Sequence, residues 1–165
     1  MARRRRSVSL IVVTLALLAW AVREFAPDLF RPAPRPEGGW RVVVRAVDGD
    51  TLLLDGDERV RLIGIDTPES VDPRRPVEYL GKEAAAFTRR LAEGKRVRLA
   101  FDQDRTDRYG RTLAYVFLED GTFLNAEILR QGYAHAYTRF PFQYADQFRA
   151  YEREAREQRR GLWAE

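Results

Sequence analysis

Along the chain, apolar and polar positions first alternate at period two in short runs and later recur at steps of three and four. "WRVVVRAV" (40–47), "TLLL" (51–54) and "RVRLIGID" (59–66) are rich in Val, Ile and Leu and are separated by Asp-Gly pairs. They predict a three-strand meander, with Asp55-Gly56 as the hairpin turn between the second and third runs. Across 79–93, Leu80, Ala84, Phe87 and Leu91 recur at helical spacing and Gly94 follows as a C-terminal cap. "KRVRLAF" (95–101) and "RTLAYVFL" (111–118) are strands four and five, joined by the charged loop "DQDRTDRYG". A short helix over 123–131 ends at Gly132. A last helix over 143–159 presents Tyr144, Phe148, Tyr151 and Ala155 on one face.

The order β-β-β-α-β-β-α-α defines an α+β chain, mainly β. Five short strands with a helix between the third and fourth predict an OB-fold barrel with about three packed helices. An open α+β sheet with helices packed on it is the rival architecture. No internal repeat is present.

The first 24 residues stand apart. Four arginines precede an uncharged run from Ser7 to Val22, and Arg23 follows. This is the layout of a signal peptide or a signal anchor. The sixteen-residue run is slightly shorter than the roughly 17 to 25 residues of a spanning helix. Ala19-Trp20-Ala21 fits a cleavage site, and the charge directly after the run fits an uncleaved anchor with its N-terminus in the cytoplasm. Either way the remainder is expected to be exported: facing the exterior or periplasm if anchored, secreted if cleaved. Residues 25–39 read as a Pro- and Gly-rich spacer, and 40–165 as the folded domain, expected to be monomeric.

Charge changes little in this picture. Residues 1–36 hold seven arginines against Glu24 and Asp28, a net +5, so the rest of the chain carries −1. The overall +4 therefore belongs to the N-terminus and says nothing about partners of the domain. With no cysteine, the domain has neither disulfides nor thiol chemistry.

Acids and arginines are the candidate chemistry. Hard divalent cations take carboxylate and carbonyl oxygens, and Asp48, Asp50 and Asp66, with Glu69 three residues beyond, could supply them. Asp is common in turns, but Thr67-Pro68 stops the third run, placing Asp66 and Glu69 at a strand end. Arg61 lies inside that run and Arg111 opens the fifth strand. Two guanidinium forks beside a cation suit a phosphate and the charge that builds on it during substitution. One tension stands in the pattern: a regular strand puts Arg61 and Asp66 on opposite faces, so they converge only if the chain bends, and Gly64 could provide that bend. His135, the sole histidine, is expected to be a structural strand-edge residue.

"AVDGDTLLL", "RLIGIDTPE", "RTDRYGRTLAYV", "LNAEILRQGYA" and the terminal "GLW" occur in order, and together they resemble the staphylococcal nuclease (thermonuclease) family over about residues 42–163. The resemblance implies an OB-fold barrel and calcium-dependent hydrolysis of phosphodiesters in DNA, RNA or both, leaving 3′-phosphate ends. It assigns Asp50, Asp66 and the Thr67 carbonyl to calcium, and Glu69 to the attacking water. It assigns Arg61 and Arg111 to the scissile phosphate. Arg108 and Tyr109 match the residues that hold a neighbouring phosphate, and Tyr137 matches a base platform; Asp48 matches an acid of secondary role. Arg108 stands where the family has Lys, and Arg139 stands where it has a second aromatic. A family member without catalysis, kept as a nucleic-acid-binding module or an envelope scaffold, should lack some of these acids or arginines; this chain has them all.

Overall fold

Alternation through the first apolar run makes it the longest strand, β1 (Glu37–Asp48), which buries Val43 and Ala46 and turns Trp40, Val42 and Val44 outward. It starts earlier than composition predicts: Glu37 pairs with Leu99, and Gly38, at φ +70°, takes up the register irregularity before Arg41. Residues 37–39 are therefore strand and not spacer. The computed structural model describes residues 12–17, 20, 31–70, 76 and 78–164, and the chain divides into two compact units, Met1–Pro32 and Ala33–Glu165. In the first, residues 12–17 and 20 are helical. Among the described residues no helix is long and apolar enough to cross a membrane. Most of the expected targeting segment and the first part of the spacer lie outside them.

β2 (Thr51–Leu54) and β3 (Arg59–Leu62) pair antiparallel, with Thr51 opposite Arg61. Gly56 and Asp57 sit at φ +76° and +59°, so Asp55-Gly56 is the hairpin turn that its sequence predicts. β5 (Arg96–Ala100) and β6 (Thr112–Leu118) follow the first helix, and β6 returns parallel to β3. The closed order is β1-β2-β3-β6-β5, the five-stranded barrel expected. Its interior is filled from every strand: Val43, Leu52, Leu54, Val60, Leu62, Val97 and Tyr115 are fully buried, each worth about 1.5 to 3 kcal/mol in removed apolar surface.

Three helices pack on this barrel: α1 (Gly81–Ala92) against β1, α2 (Leu124–Arg130) against β6, and α3 (Ala145–Glu157) against α2. Gly161–Trp163 adds a turn of 3₁₀ helix. Buried Asn125 of α2 is fully used: its amide donates to the Ile63 and Ala114 carbonyls, and its oxygen accepts from Val116 N–H at 2.9 Å.

The third apolar run is not one strand. It breaks at Ile63-Gly64 and resumes as β4 (Ile65–Asp66), which leaves the barrel and pairs with β7 (His135–Ala136). Gly64 has φ +75°, and a Cβ there would stand 2.6 Å from the Phe142 ring. Only glycine satisfies both the left-handed backbone and that close approach. His135 lies on β7 opposite Asp66, exposed, with Nδ1 3.3 Å from Glu152 Oε1, as a strand-edge residue should be.

Candidate active site

The bend at Gly64 carries β4 back over the end of β3. Arg61 points outward from β3, and its Nη1 donates to the carbonyls of Leu62 and Ile65 at 3.1 and 2.8 Å. Both acceptors belong to the bend, so the backbone that bends also fixes the guanidinium. Nη2 of the same residue reaches Asp66 Oδ1 at 2.9 Å and Asp50 Oδ2 at 3.1 Å. Two contacts of about 3 Å to one atom put the two carboxylate oxygens within about 6 Å of each other.

Asp50 is buried at the start of β2, where its acid would be costly without partners. It has them: Oδ2 accepts from Thr67 N–H at 3.0 Å and Thr67 Oγ1 at 3.2 Å, and Oδ1 from Thr51 Oγ1 at 3.0 Å. Asp66 is half exposed. Its carboxyl is raised above the ordinary range, first by withdrawal from water, with the Arg61 charge opposing and the Asp50 charge adding. Two acids pressed together around one cation define a site built to concentrate negative charge. Gly49 is packed so tightly on Thr67 that a Cβ would stand 2.7 Å from its Oγ1. Asp48-Gly49 is thus the tight element that sets Asp50 beside Thr67, in contrast with the open turn at Asp55-Gly56.

Glu69 is half-buried and does not line the cleft described below. Its Oε1 accepts from Ser70 N–H at 2.9 Å, and Ser70 Oγ donates to Asp48 Oδ1 at 2.6 Å. Glu69 N–H donates to Glu78 Oε2 at 3.1 Å. Burial raises the Asp48 carboxyl, the hydrogen bonds from Ser70 and Gly49 oppose this, and the Asp50 and Glu69 charges add to it.

The loop between β5 and β6 supplies the opposite wall. Asp107 organises it: Oδ1 accepts from the N–H groups of Tyr109 and Arg111 at 2.8 and 3.0 Å, and Oδ2 accepts from Arg111 Nε at 2.6 Å. Burial would raise the Asp107 carboxyl, but these bonds win and hold it below the usual range. Tyr109 is exposed, with Arg108 and Arg111 guanidinium carbons 4.7 and 5.5 Å from its ring centroid.

A cleft of about 610 Å³ lies between these walls, and Arg61, Asp66, Arg108, Tyr109, Arg111 and Tyr137 all line it. Asp50 joins it through Arg61, and Thr67 through Asp50. The sequence reading missed three contributors. Asp107, which reads as one more turn acid, is the brace of Arg111; a spacing of four before an arginine was the available signal. Phe140 is 63% exposed with its ring 6.0 Å from that of Tyr137, so the second aromatic lies one residue beyond Arg139. Asp102 accepts from Tyr115 Oη at 2.6 Å and from Gln143 N–H at 2.8 Å, tying the segment that carries Phe140 and Phe142 to the barrel.

Among the described residues no group of three His, Cys, Asp or Glu could hold a metal ion. A hard cation would therefore rest on two carboxylates, Asp50 and Asp66, with carbonyl oxygen and water completing its shell. That donor set fits calcium or a similar hard ion: all its ligands are oxygen, and a positive group, Arg61 Nη2, already lies against both acids.

The family model for staphylococcal nuclease homologues matches residues 59–165. A thermonuclease from Staphylococcus hyicus is 40% identical over 126 residues, 74% of this chain and 74% of that one. A thermonuclease from Staphylococcus intermedius is 50% identical over 98 residues, 58% of each chain. Endonuclease YncB from Bacillus subtilis (strain 168) is 38% identical over 126 residues, 73% of this chain and 59% of that one. The chain thus spans somewhat under two thirds of the last two.

Proposed function

This chain belongs to the staphylococcal nuclease family and is a nuclease, and on that premise we propose that it is a calcium-dependent enzyme cleaving DNA, RNA or both to leave 3′-phosphate ends. One observation carries this reading: Arg61 Nη2 lies within 3.1 Å of Asp50 and 2.9 Å of Asp66 in a cleft that also holds Arg111. Cation-binding acids and phosphate-binding guanidinium groups converge there, as hydrolysis of a phosphodiester requires.

Asp50, Asp66 and the Thr67 carbonyl would hold calcium, which when bound polarises phosphoryl oxygen and makes water easier to deprotonate. Arg61 and Arg111 grip the scissile phosphate and offset the charge that grows on its oxygens. Asp107 holds Arg111 by Nε, so both Nη groups stay available for that task. The water oxygen attacks phosphorus, Glu69 swings from its Ser70 contact into the cleft to receive the proton, and the bond to the 5′-oxygen breaks with a guanidinium hydrogen bond assisting its departure. Arg108 and Tyr109 hold the neighbouring phosphate, and Tyr137 with Phe140 offers stacking to whichever base lies above.

Export carried by residues 1–24 agrees with this chemistry, since a two-carboxylate site binds calcium weakly and the ion is plentiful outside the cytoplasm. The test is digestion of single-stranded DNA by the full chain with calcium and then with a chelator. Calcium-dependent release of 3′-phosphate ends is expected. Binding of the DNA without cleavage would overturn the enzyme reading in favour of a binding module.

A further inference from the structure

The barrel has a second exposed feature, on the seam between β1 and β5. Trp40, Val42 and Val44 occupy alternate positions of β1 and are 40%, 40% and 55% exposed. Val42 stands opposite Arg96 in the register, and the Arg96 and Arg98 guanidinium carbons lie 5.1 and 5.7 Å from the Trp40 ring centroid. Arg45 is exposed beside Val44 where the register shifts. Three apolar side chains in a row on the outer face of a strand, bordered by three arginines, are left partly exposed by the domain's own packing.

We propose that this seam docks on an anionic lipid surface, with Trp40 at headgroup depth and the arginines on lipid phosphates. The inference rests on the membrane reading of residues 1–24. Three observations favour lipid. The tether is short: only residues 23–36 separate the end of the apolar run at Val22 from the start of β1. The chemistry is interfacial: tryptophan and arginine partition to the headgroup layer, and each basic residue near an anionic surface adds to the attraction. Nucleic acid is the poorer fit, since valines offer no stacking face and guanidinium groups already lie against the Trp40 ring.

Charge and position agree. Arg96 pairs with Glu119 at 3.0 Å, but both side chains are half exposed, and such a pair is weak enough for Arg96 to exchange onto a phosphate. In the closed order β1-β2-β3-β6-β5, the β1–β5 seam lies across the ring from β3, which carries Arg61. Docking by the seam therefore leaves the cleft open to a polymer approaching from solution.

The experiment uses the full chain with Trp20→Phe and Trp163→Phe, so that Trp40 is the one emitter. It is reconstituted into vesicles of phosphatidylcholine, with or without an equal part of phosphatidylglycerol, carrying bromine on acyl carbons near the headgroup. Flotation of the vesicles reads the N-terminal segment, and quenching reads the seam. Trp40 is expected to shift to the blue and lose most of its emission with phosphatidylglycerol, to change little without it, and to recover when Arg96→Glu and Arg98→Glu are added. Chain that floats while Trp40 stays unquenched would overturn the seam and leave the membrane reading intact. Chain that neither floats nor is quenched would overturn both. Trp40 quenched by a single-stranded oligonucleotide and not by brominated lipid would assign the face to nucleic acid and overturn the proposal.

Discussion

Arg61 Nη2 donates to Asp66 Oδ1 at 2.9 Å although the two residues are five apart in what the sequence writes as one continuous strand. Regular pleating would send them to opposite faces. Gly64, at φ +75° and pressed on Phe142 and Phe148, is what turns Asp66 back. Gly64→Ala is expected to cost roughly 2 to 5 kcal/mol, from left-handed strain plus overpacking. It should also weaken calcium binding in whatever fraction stays folded. Urea denaturation with calcium titration by calorimetry measures both, and an unchanged midpoint would refute the argument.

The two Asp-Gly turns should separate cleanly. Asp50→Asn is expected to weaken calcium binding by on the order of 10- to 100-fold, because ligand charge sets affinity at an oxygen site. Asp57→Asn, on the hairpin turn at φ +59°, should leave affinity unchanged and stability within about 0.5 kcal/mol. Calorimetric titration of the two variants compares them directly.

Arg111 is placed by Asp107, and the pair gives a graded prediction. Arg111→Ala should lower kcat by about 100- to 1,000-fold, the usual cost of removing one group that stabilises transition-state charge. Asp107→Asn keeps the acceptor for the Tyr109 and Arg111 N–H groups but cannot accept from Arg111 Nε, so the loop survives while the guanidinium loosens. A fall in kcat of about tenfold with little change in KM is expected, beside only a modest fall in melting temperature from the lost charge. A large fall in melting temperature would instead make Asp107 a loop-stability residue.

Tyr137→Ala and Phe140→Ala should raise KM for single-stranded substrates by about tenfold or more, with kcat nearly kept, since stacking is worth about 1 to 3 kcal/mol per base. Steady-state kinetics on short oligonucleotides settle this, and no effect from Phe140→Ala would remove it from the platform.

Asp102 links acid stability to the site. Burial would raise its carboxyl, but hydrogen bonds from the Gln143 N–H, Tyr115 and the Gln103 N–H hold it below the usual range. A carboxyl lowered in the folded state adds stability that is fully present above its unfolded pKa of about 3.9 and lost as pH falls through the lower folded value. Asp102→Asn should therefore cost no more than about 1 kcal/mol at neutral pH, because water screens a carboxylate this exposed, with the gap from wild type closing below about pH 4. Denaturation at stepped pH checks the convergence; a gap that stays constant would assign the loss to packing.

Much of this protein was legible along the chain. Period-two alternation located the strands, period-3.6 recurrence located the helices, and Asp55-Gly56 declared its turn, because these are local consequences of backbone geometry. The acids and arginines that meet at the candidate cleft could likewise be named as candidates, from strand ends and from the family resemblance. Local pattern could not show that the third run is two strands in two sheets, since Ile63-Gly64-Ile65 keeps its apolar character through the break. Nor could it show that Asp107 braces Arg111, or that Phe140 takes the place beside Tyr137 left by Arg139. Those follow from closure of the barrel and from the packing of Phe142 against Gly64, contacts between residues 78 positions apart. The sequence determined which groups this protein has for its chemistry; the tertiary structure decided which of them meet, because only long-range packing can hold a strand in a bend that its own pattern does not require.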